Sequence, residues 1–371
     1  MNVRPLRVLA VDDSAVVRQA MIGVLGSAGI DVATAADPLI ARRKIAAARP
    51  DVILLDLEMP REDGLSFLRE LMARDPIPVV ICSCHSTRGS QVALEALDEG
   101  AVDVVAKPRL GVREFVQESA TLLADAVRAA ASARLRVPSR GALPSPRMAP
   151  RAAAPPEDGA PARTLIAIAA STGGPQALLE VLGALPADAP GLVVVQHMPG
   201  GFTTAFADHL DARCRIRVRE AADGDVVRDG LALIAPGGLH VEVARRRGQF
   251  VVEVSSGPLV SHHRPSADVL FRSVARMVGA DAVGVILTGM GNDGAAGLRA
   301  MREAGATTLA QDEASCVVFG MPREAVRNGA VDRTLPLSAL APAMLGSARA
   351  RRSGSETAAL PAAAPAAASS G

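Results

Sequence analysis

A chain of 371 residues has room for two or three domains, and 49% hydrophobic residues supply enough apolar surface for sizeable cores. Its 40 Lys and Arg against 39 Asp and Glu leave a formal charge of +1, so charge gives no reason to expect a polyanionic partner; seven Phe without Trp or Tyr offer no stacking platform for bases. No apolar run is long enough to span a bilayer, and the amino terminus lacks a long h-region and a small-residue cleavage site, so a cytoplasmic protein without membrane insertion or a nucleic-acid partner is expected.

The first block alternates short apolar runs with amphipathic stretches. Strands are predicted over residues 6–11, 30–34, 52–55, 78–82 and 102–105, with helices over 16–28, 65–72 and 92–97 and a closing helix from 112. Strands apolar throughout and joined by helices imply a parallel sheet covered on both faces, an α/β fold of five βα units. Asp12 and Asp13 end the first strand and Asp56 the third, at the edge where such sheets bind ligands. Three carboxylates there repel one another unless a hard cation lies among them, and Mg²⁺ fits oxygen ligands of this kind. Asp56, on the central strand, is the expected phosphoacceptor. Ser83 and Lys107 close the fourth and fifth strands, where a hydroxyl and an ammonium can meet a phosphoryl group. The simpler reading of Asp12-Asp13 is a helix N-cap with a companion acid. Cys82 and Cys84 flank Ser83, and with Cys214 and Cys316 they read as small buried hydrophobes, since no second nearby pair completes a zinc site.

Residues 134–163 hold seven Pro, six Arg and two acids, and read as part of a linker set at 131–163 between a first domain of residues 1–130 and a second of 164–346. Residues 347–371, rich in Ala, Pro and Ser, read as a disordered tail.

The second block repeats the rhythm, with strands at 164–169, 192–195, 231–235 and 283–287 and alternating segments at 240–243 and 250–254 that suggest a β-hairpin inserted in a doubly wound, mainly parallel sheet. The first of these strands runs into Ser171-Thr172-Gly173-Gly174-Pro175, a tight turn into a helix that presents Ser171 either as a nucleophile or as part of a phosphate-binding or merely structural turn. The next ends at His197. The strand over 283–287 opens into a glycine-rich loop carrying Asp293, which is placed to orient His197 as Ser171 is deprotonated. A metal site would need His209, His240, His262 or His263 beside His197, but none shows H-E-x-x-H spacing or a Cys/His cluster. The block has no compact helix-turn-helix pattern, against a DNA-binding output; a phosphorylation-dependent interaction module without catalysis would not need all three side chains.

Val11-Asp12-Asp13-Ser14, Leu54-Leu55-Asp56-Leu57-Glu58 through Gly64, and Ala106-Lys107-Pro108 resemble the signatures of response-regulator receiver domains, over about residues 5–125. That resemblance implies phosphotransfer from a histidine kinase and Mg²⁺ held by Asp13, Asp56 and the carbonyl of Glu58, with Asp12 acting through water. The segments 169–174, 194–199, 263–273, 287–297 and 311–322 resemble the protein-glutamate methylesterase domain of chemotaxis response regulators, over about residues 164–345. This second resemblance implies catalysis by Ser171, His197 and Asp293, with the Met290 N–H in the oxyanion hole and Thr172 beside the histidine. It also implies methyl-accepting chemoreceptors as substrate, ester hydrolysis or glutamine deamidation, and no cofactor for the hydrolysis. Ala169 departs from the glycine common in that family. Domain order suggests that the first block covers the catalytic mouth until Asp56 is phosphorylated.

Overall fold

A computed structural model of the chain describes residues 4–59, 63–83, 86–107, 113–135 and 160–358. Cys84, Pro108 and most of the linker segment lie outside the described residues.

The first domain runs β1 (Arg7–Val11), α1 (Ala15–Ser27), β2 (Asp31–Ala35), α2 (Pro38–Ala47), β3 (Val52–Leu55), α3 (Gly64–Arg74), β4 (Val79–Ser83), α4 (Thr87–Asp98), β5 (Asp103–Ala106) and α5 (Arg113–Ala131). The five strands pair in parallel in the order β2-β1-β3-β4-β5. Strand β3, Val-Ile-Leu-Leu, is buried at every position, as a central strand covered on both faces must be. One face packs on α1 and α5, the other on α2, α3 and α4. The cap of α1 is Ser14, whose hydroxyl accepts the Val17 N–H, so Asp12 and Asp13 are not needed as caps.

The second domain runs β6 (Leu165–Ala170), α6 (Gly174–Gly183), β7 (Gly191–Gln196), α7 (Thr203–Asp211), β8 (Arg217–Glu220), β9 (Leu231–Ile234), β10 (His240–Arg246), β11 (Gln249–Ser255), α8 (Ala267–Met277), β12 (Ala282–Ile286), α9 (Ala295–Glu303), β13 (Thr307–Gln311), α10 (Met321–Arg327), β14 (Arg333–Leu335) and α11 (Leu337–Ala358). Seven strands, all parallel, stand in the order β14-β13-β12-β6-β7-β9-β8. Helices α6, α7 and α11 cover one face; α8, α9 and α10 cover the other. The expected hairpin exists as β10 and β11, but it forms its own antiparallel pair against α8 and is not inserted into the parallel sheet. The chain leaves β6 toward β7 on one side and pairs with β12 on the other, which makes this edge a topological switch point.

The tail expected from 347 is corrected for its first part: α11 continues to Ala358, Ala348 is fully buried, and Arg351 donates to the Thr307 hydroxyl at 3.1 Å. Apolar side chains of α11 at Leu340 and Met344 tie it to the core, and alanine-rich sequence is a good helix former once one face is anchored. Residues 359–371 lie outside the described ones. Among the described residues no helix is long and apolar enough to cross a membrane.

The two domains share an interface. Buried residues of α4, α6 and α7 belong to one apolar cluster, and polar contacts ring it. Ser90 Oγ donates to the Gly201 carbonyl at 3.0 Å, Gln176 Nε2 to the Leu97 carbonyl at 2.6 Å, and Asp98 faces His209 and Arg213. At the root of the linker, the Arg134 guanidinium meets the carboxylate and carbonyl of Glu313, and its N–H donates to the Val317 carbonyl at 2.9 Å.

Candidate active site and phosphoacceptor site

At the carboxyl edge of the first sheet, Asp12, Asp13 and Asp56 each present an oxygen, and the three oxygens lie within 4.8 Å of one another. Asp12 and Asp56 are buried and Asp13 is exposed. This hard, converging oxygen set fits Mg²⁺ in size and charge. Lys107 Nζ lies 2.7 Å from Asp56 Oδ2 and 2.9 Å from Asp12 Oδ2. Burial pushes the Asp56 carboxyl up from its ordinary value despite Lys107; for Lys107 the two carboxylates outweigh burial and raise it. The Glu58 N–H donates to Asp56 Oδ1 at 3.1 Å. Ser83 is buried at the end of β4, and its carbonyl accepts the Lys107 N–H at 3.0 Å, which joins the ends of β4 and β5.

In the second domain Ser171, His197 and Asp293 follow β6, β7 and β12 at the switch point. Ala170 and Gln196 are register partners, and the His197 N–H donates to the Ala170 carbonyl at 3.0 Å, so Ser171 and His197 leave neighbouring strands together. Gln196 Nε2 bonds the carbonyls of both Ser171 and His197, at 2.9 and 3.1 Å. The Ser171 N–H donates to the Thr288 carbonyl at 3.0 Å and ties the turn to the strand that leads to Asp293. Two glycines are required here. Gly173 has φ 74°, and a Cβ on it would stand 2.5 Å from Val317 Cβ; a Cβ on Gly289 would stand 2.7 Å from Ser171 Cβ.

His197 Nε2 lies 2.8 Å from Asp293 Oδ2, while Nδ1 is buried and has no hydrogen-bond partner. Nδ1 is therefore the ring atom left to take a further hydrogen bond, and no hydrogen bond joins it to the Ser171 hydroxyl. Asp293 is gripped by residues that the sequence reading did not single out. Ser266 Oγ donates to Oδ1 at 2.7 Å, and the N–H groups of Ala267 and Asp268 donate to Oδ2 and Oδ1 at 2.7 and 3.1 Å. The first turn of α8 thus takes Asp293 as its cap, since Ser266 makes no cap bond to its own helix. Burial opposes the charge on Asp293, but the bond and charge of His197, then Ser266 and Ala267, outweigh it and hold the carboxyl down at about 2. His240 steadies this cap: its Nδ1 accepts the Ser266 N–H at 3.2 Å and its Nε2 lies 2.8 Å from the Pro258 carbonyl. The signal for Ser266 was a serine just before an amphipathic run, which marks a helix start but not what it caps.

Among the described residues no hydrogen bond joins Thr172 to His197. Its hydroxyl crosses the domain interface and donates to Asp103 Oδ2 at 2.6 Å, and the Gly173 N–H donates to the Val102 carbonyl at 3.2 Å. Burial pushes the Asp103 carboxyl up to about 6, against the Thr172 and Val104 hydrogen bonds and the charge of His197. Met290 lines a cavity of about 670 Å³ between the 316–320 loop and Arg128 of α5. No backbone hydrogen bond to a described residue takes up its N–H. Of the histidines considered for a metal, His209 faces Asp98, His240 holds Ser266, and His263 stacks on His197. Among the described residues, Asp12, Asp13 and Asp56 form the one cluster suited to a metal ion. Cys82, Cys214 and Cys316 are buried, as expected for small apolar side chains.

Residues 8–117 match the model of the response regulator receiver domain and residues 166–344 that of CheB methylesterase. A protein-glutamate methylesterase/protein-glutamine glutaminase of Anaeromyxobacter dehalogenans is 56% identical over 351 residues, covering 93% of this chain and 97% of its own. The chain belongs to the CheB methylesterase family. A second relative in the family, from Geobacter metallireducens and of the same name, is 52% identical over 91% of this chain and 98% of its own. The crystal structure of the Thermotoga maritima CheB methylesterase catalytic domain is 35% identical, covers 49% of this chain and 97% of its own, and has a TM-score of 0.49.

Proposed function

We propose that the chain is a phosphorylation-activated protein-glutamate methylesterase that also deamidates glutamine, acting in the cytoplasm on methyl-accepting chemoreceptors in chemotaxis adaptation. The observation that carries the catalytic reading is the clamp of Asp293 on His197 Nε2, with Nδ1 left unpartnered at the strand end beside Ser171. Ser171 Oγ attacks the ester carbonyl and its proton passes to His197 Nδ1. Asp293 holds the Nε2–H and offsets the imidazolium charge. The Met290 N–H meets the oxyanion. The tetrahedral intermediate then collapses: the C–O bond to the methoxy group breaks and His197 returns the proton, so methanol leaves. Water, deprotonated by the same nitrogen, attacks the glutamyl-serine ester; the C–Oγ bond breaks, Ser171 recovers a proton and glutamate is freed. With glutamine the first leaving group is ammonia.

In the receiver, a histidine kinase supplies the phosphoryl group to Asp56. Mg²⁺ at Asp12, Asp13, Asp56 and the Glu58 carbonyl would neutralise phosphoryl oxygens there, and Ser83 and Lys107 would bind the transferred group. Restraint of the esterase goes beyond covering its mouth, because Asp103 at the start of β5 and Val102 just before it hold Thr172 and Gly173, the two residues after the nucleophile. Methanol release and receptor mass, followed with a small-molecule phosphodonor present, test the assignment. Ser171→Ala is expected to abolish demethylation while receptor binding persists. An unaltered demethylation rate in that variant sinks the assigned nucleophile.

A further inference from the structure

We infer that His263 is a positioning residue for the base, its ring setting the tilt at which His197 meets the Ser171 hydroxyl. This rests on the esterase reading above. The two imidazoles lie face to face, with centroids 3.8 Å apart and planes 9° from parallel. Asp293 fixes His197 at one atom, Nε2, and a single in-plane hydrogen bond leaves a ring free to rock about the bond axis. With Nδ1 unpartnered, no second hydrogen bond limits that rocking. A flat surface pressed on one face of the ring does. Proton transfer from Ser171 depends on the lone pair of Nδ1 pointing at the hydroxyl, so control of tilt is control of rate.

The platform is itself held. Val260 and His263 exchange two backbone hydrogen bonds, at 3.2 and 2.9 Å, around Ser261 and His262, which have φ 52° and 65°. Left-handed backbone at two consecutive residues that are not glycine costs about 1–3 kcal/mol each and persists only where the surroundings enforce it. Arg264 anchors the next position, its carbonyl accepting the Gly238 N–H at 3.0 Å and its guanidinium donating to the Gly257 carbonyl at 2.8 Å. The stretch from 260 to 268 therefore delivers two restraints to one catalytic pair: the His263 ring to His197, and the Ser266 to Asp268 donors to Asp293.

The chemistry of the ring suits this role and not that of a second base. Burial, then the charge of His197, push the His263 imidazole down to about 3, against the pull of Asp293 and with a further push from His262. It stays neutral while His197 gains and loses a proton, so the stack never sets one cation on another. Metal ligation is a poorer account, since among the described residues no third ligand joins the two rings.

Methanol release by the full chain with a phosphodonor tests the proposal. His263→Ala is expected to lower kcat about 10- to 100-fold and leave KM within about twofold, because the substrate pocket is intact. His263→Phe restores a flat face and should recover most of kcat; His263→Leu, similar in bulk but not flat, should not. Full kcat in His263→Ala overturns the proposal. So does equal kcat in the Phe and Leu variants, which would reduce the ring to filler. If these variants match the parent while Ser171→Ala is inactive, only the positioning role fails; an active Ser171→Ala removes the esterase site itself.

Discussion

A carboxylate as deeply buried as Asp293 keeps its charge only where donors converge on it. Ser266, Ala267, Asp268 and His197 supply them, from positions 25 to 96 residues away. Ser266→Ala removes one donor and leaves a buried oxygen less satisfied, at an expected cost of about 1–3 kcal/mol in unfolding free energy. The depressed Asp293 pKa contributes stability that is complete above the unfolded value of about 3.9 and is lost as pH falls through about 2. With a donor gone that pKa rises, so acid unfolding of Ser266→Ala should begin at higher pH than in the parent, as followed by circular dichroism. An acid transition that does not move would mean that Ser266 lends nothing to the charge. Asp293 itself was legible from its glycine-rich loop after a buried strand. Its donors were not, because a serine before a helix announces a cap without revealing that a residue from another strand end completes it.

Strand β5 is where the two sites become one device. Lys107 follows its last residue and pairs with Asp56, while Asp103, its first, accepts from Thr172. On the proposed reading, a displacement of Lys107 toward a phosphoryl group on Asp56 would be passed along a strand of four residues to the turn that carries Ser171. Asp103→Ala is expected to raise activity without a phosphodonor toward the stimulated level, since the turn loses its charged acceptor. The raised Asp103 pKa gives the contact a pH dependence. An aspartate that titrates near 3.9 when open and about 6 when closed binds a proton more readily closed, so closure is strongest below about 4 and weakens as pH rises to about 6, then levels off. Asp103→Asn keeps an oxygen for Thr172 and should lose that dependence. Exchange protection of the Gly173 amide, compared from pH 4 to 8 against an isolated-peptide rate, checks both variants; a parent profile parallel to that of Asp103→Asn would remove Asp103 from the mechanism. The strand itself was readable, because Val102, Val104 and Val105 supply its β-branched side chains shortly before Lys107. Its use was not: Asp103 and Thr172 are 69 residues apart and nothing local in either segment signals the pairing. The hairpin was misplaced for a similar reason, since alternation at 240–243 and 250–254 fixes that two strands pair but not which sheet they join.

At the scale of the whole molecule, the receiver holds the esterase by an apolar seam along α4, α6 and α7, by β5 at the nucleophile turn, and by Arg134 on the loop that backs Gly289 through Val318. Restraint distributed over three places predicts that removing the receiver does more than any single substitution. The fragment to compare with the full chain is 160–358: Pro161 bridges to Arg228 and Ala162 is buried at one end, while Ala348 and Arg351 belong to the fold at the other. A cut at 346 would strip buried surface from α11 and confuse loss of folding with loss of activity. Without a phosphodonor the fragment should outpace the full chain, and phosphodonor with Mg²⁺ should close most of that gap, by about 5- to 150-fold if the coupling lies in the usual 1–3 kcal/mol. Chelation of Mg²⁺ should abolish the phosphodonor effect and leave the fragment untouched, because among the described residues the carboxylates suited to the ion all lie in the receiver. A fragment that demethylates no faster than the unstimulated full chain would show that these contacts assemble the active site and do not restrain it, and the Thr172 to Asp103 bond would then have to be read as support for catalysis.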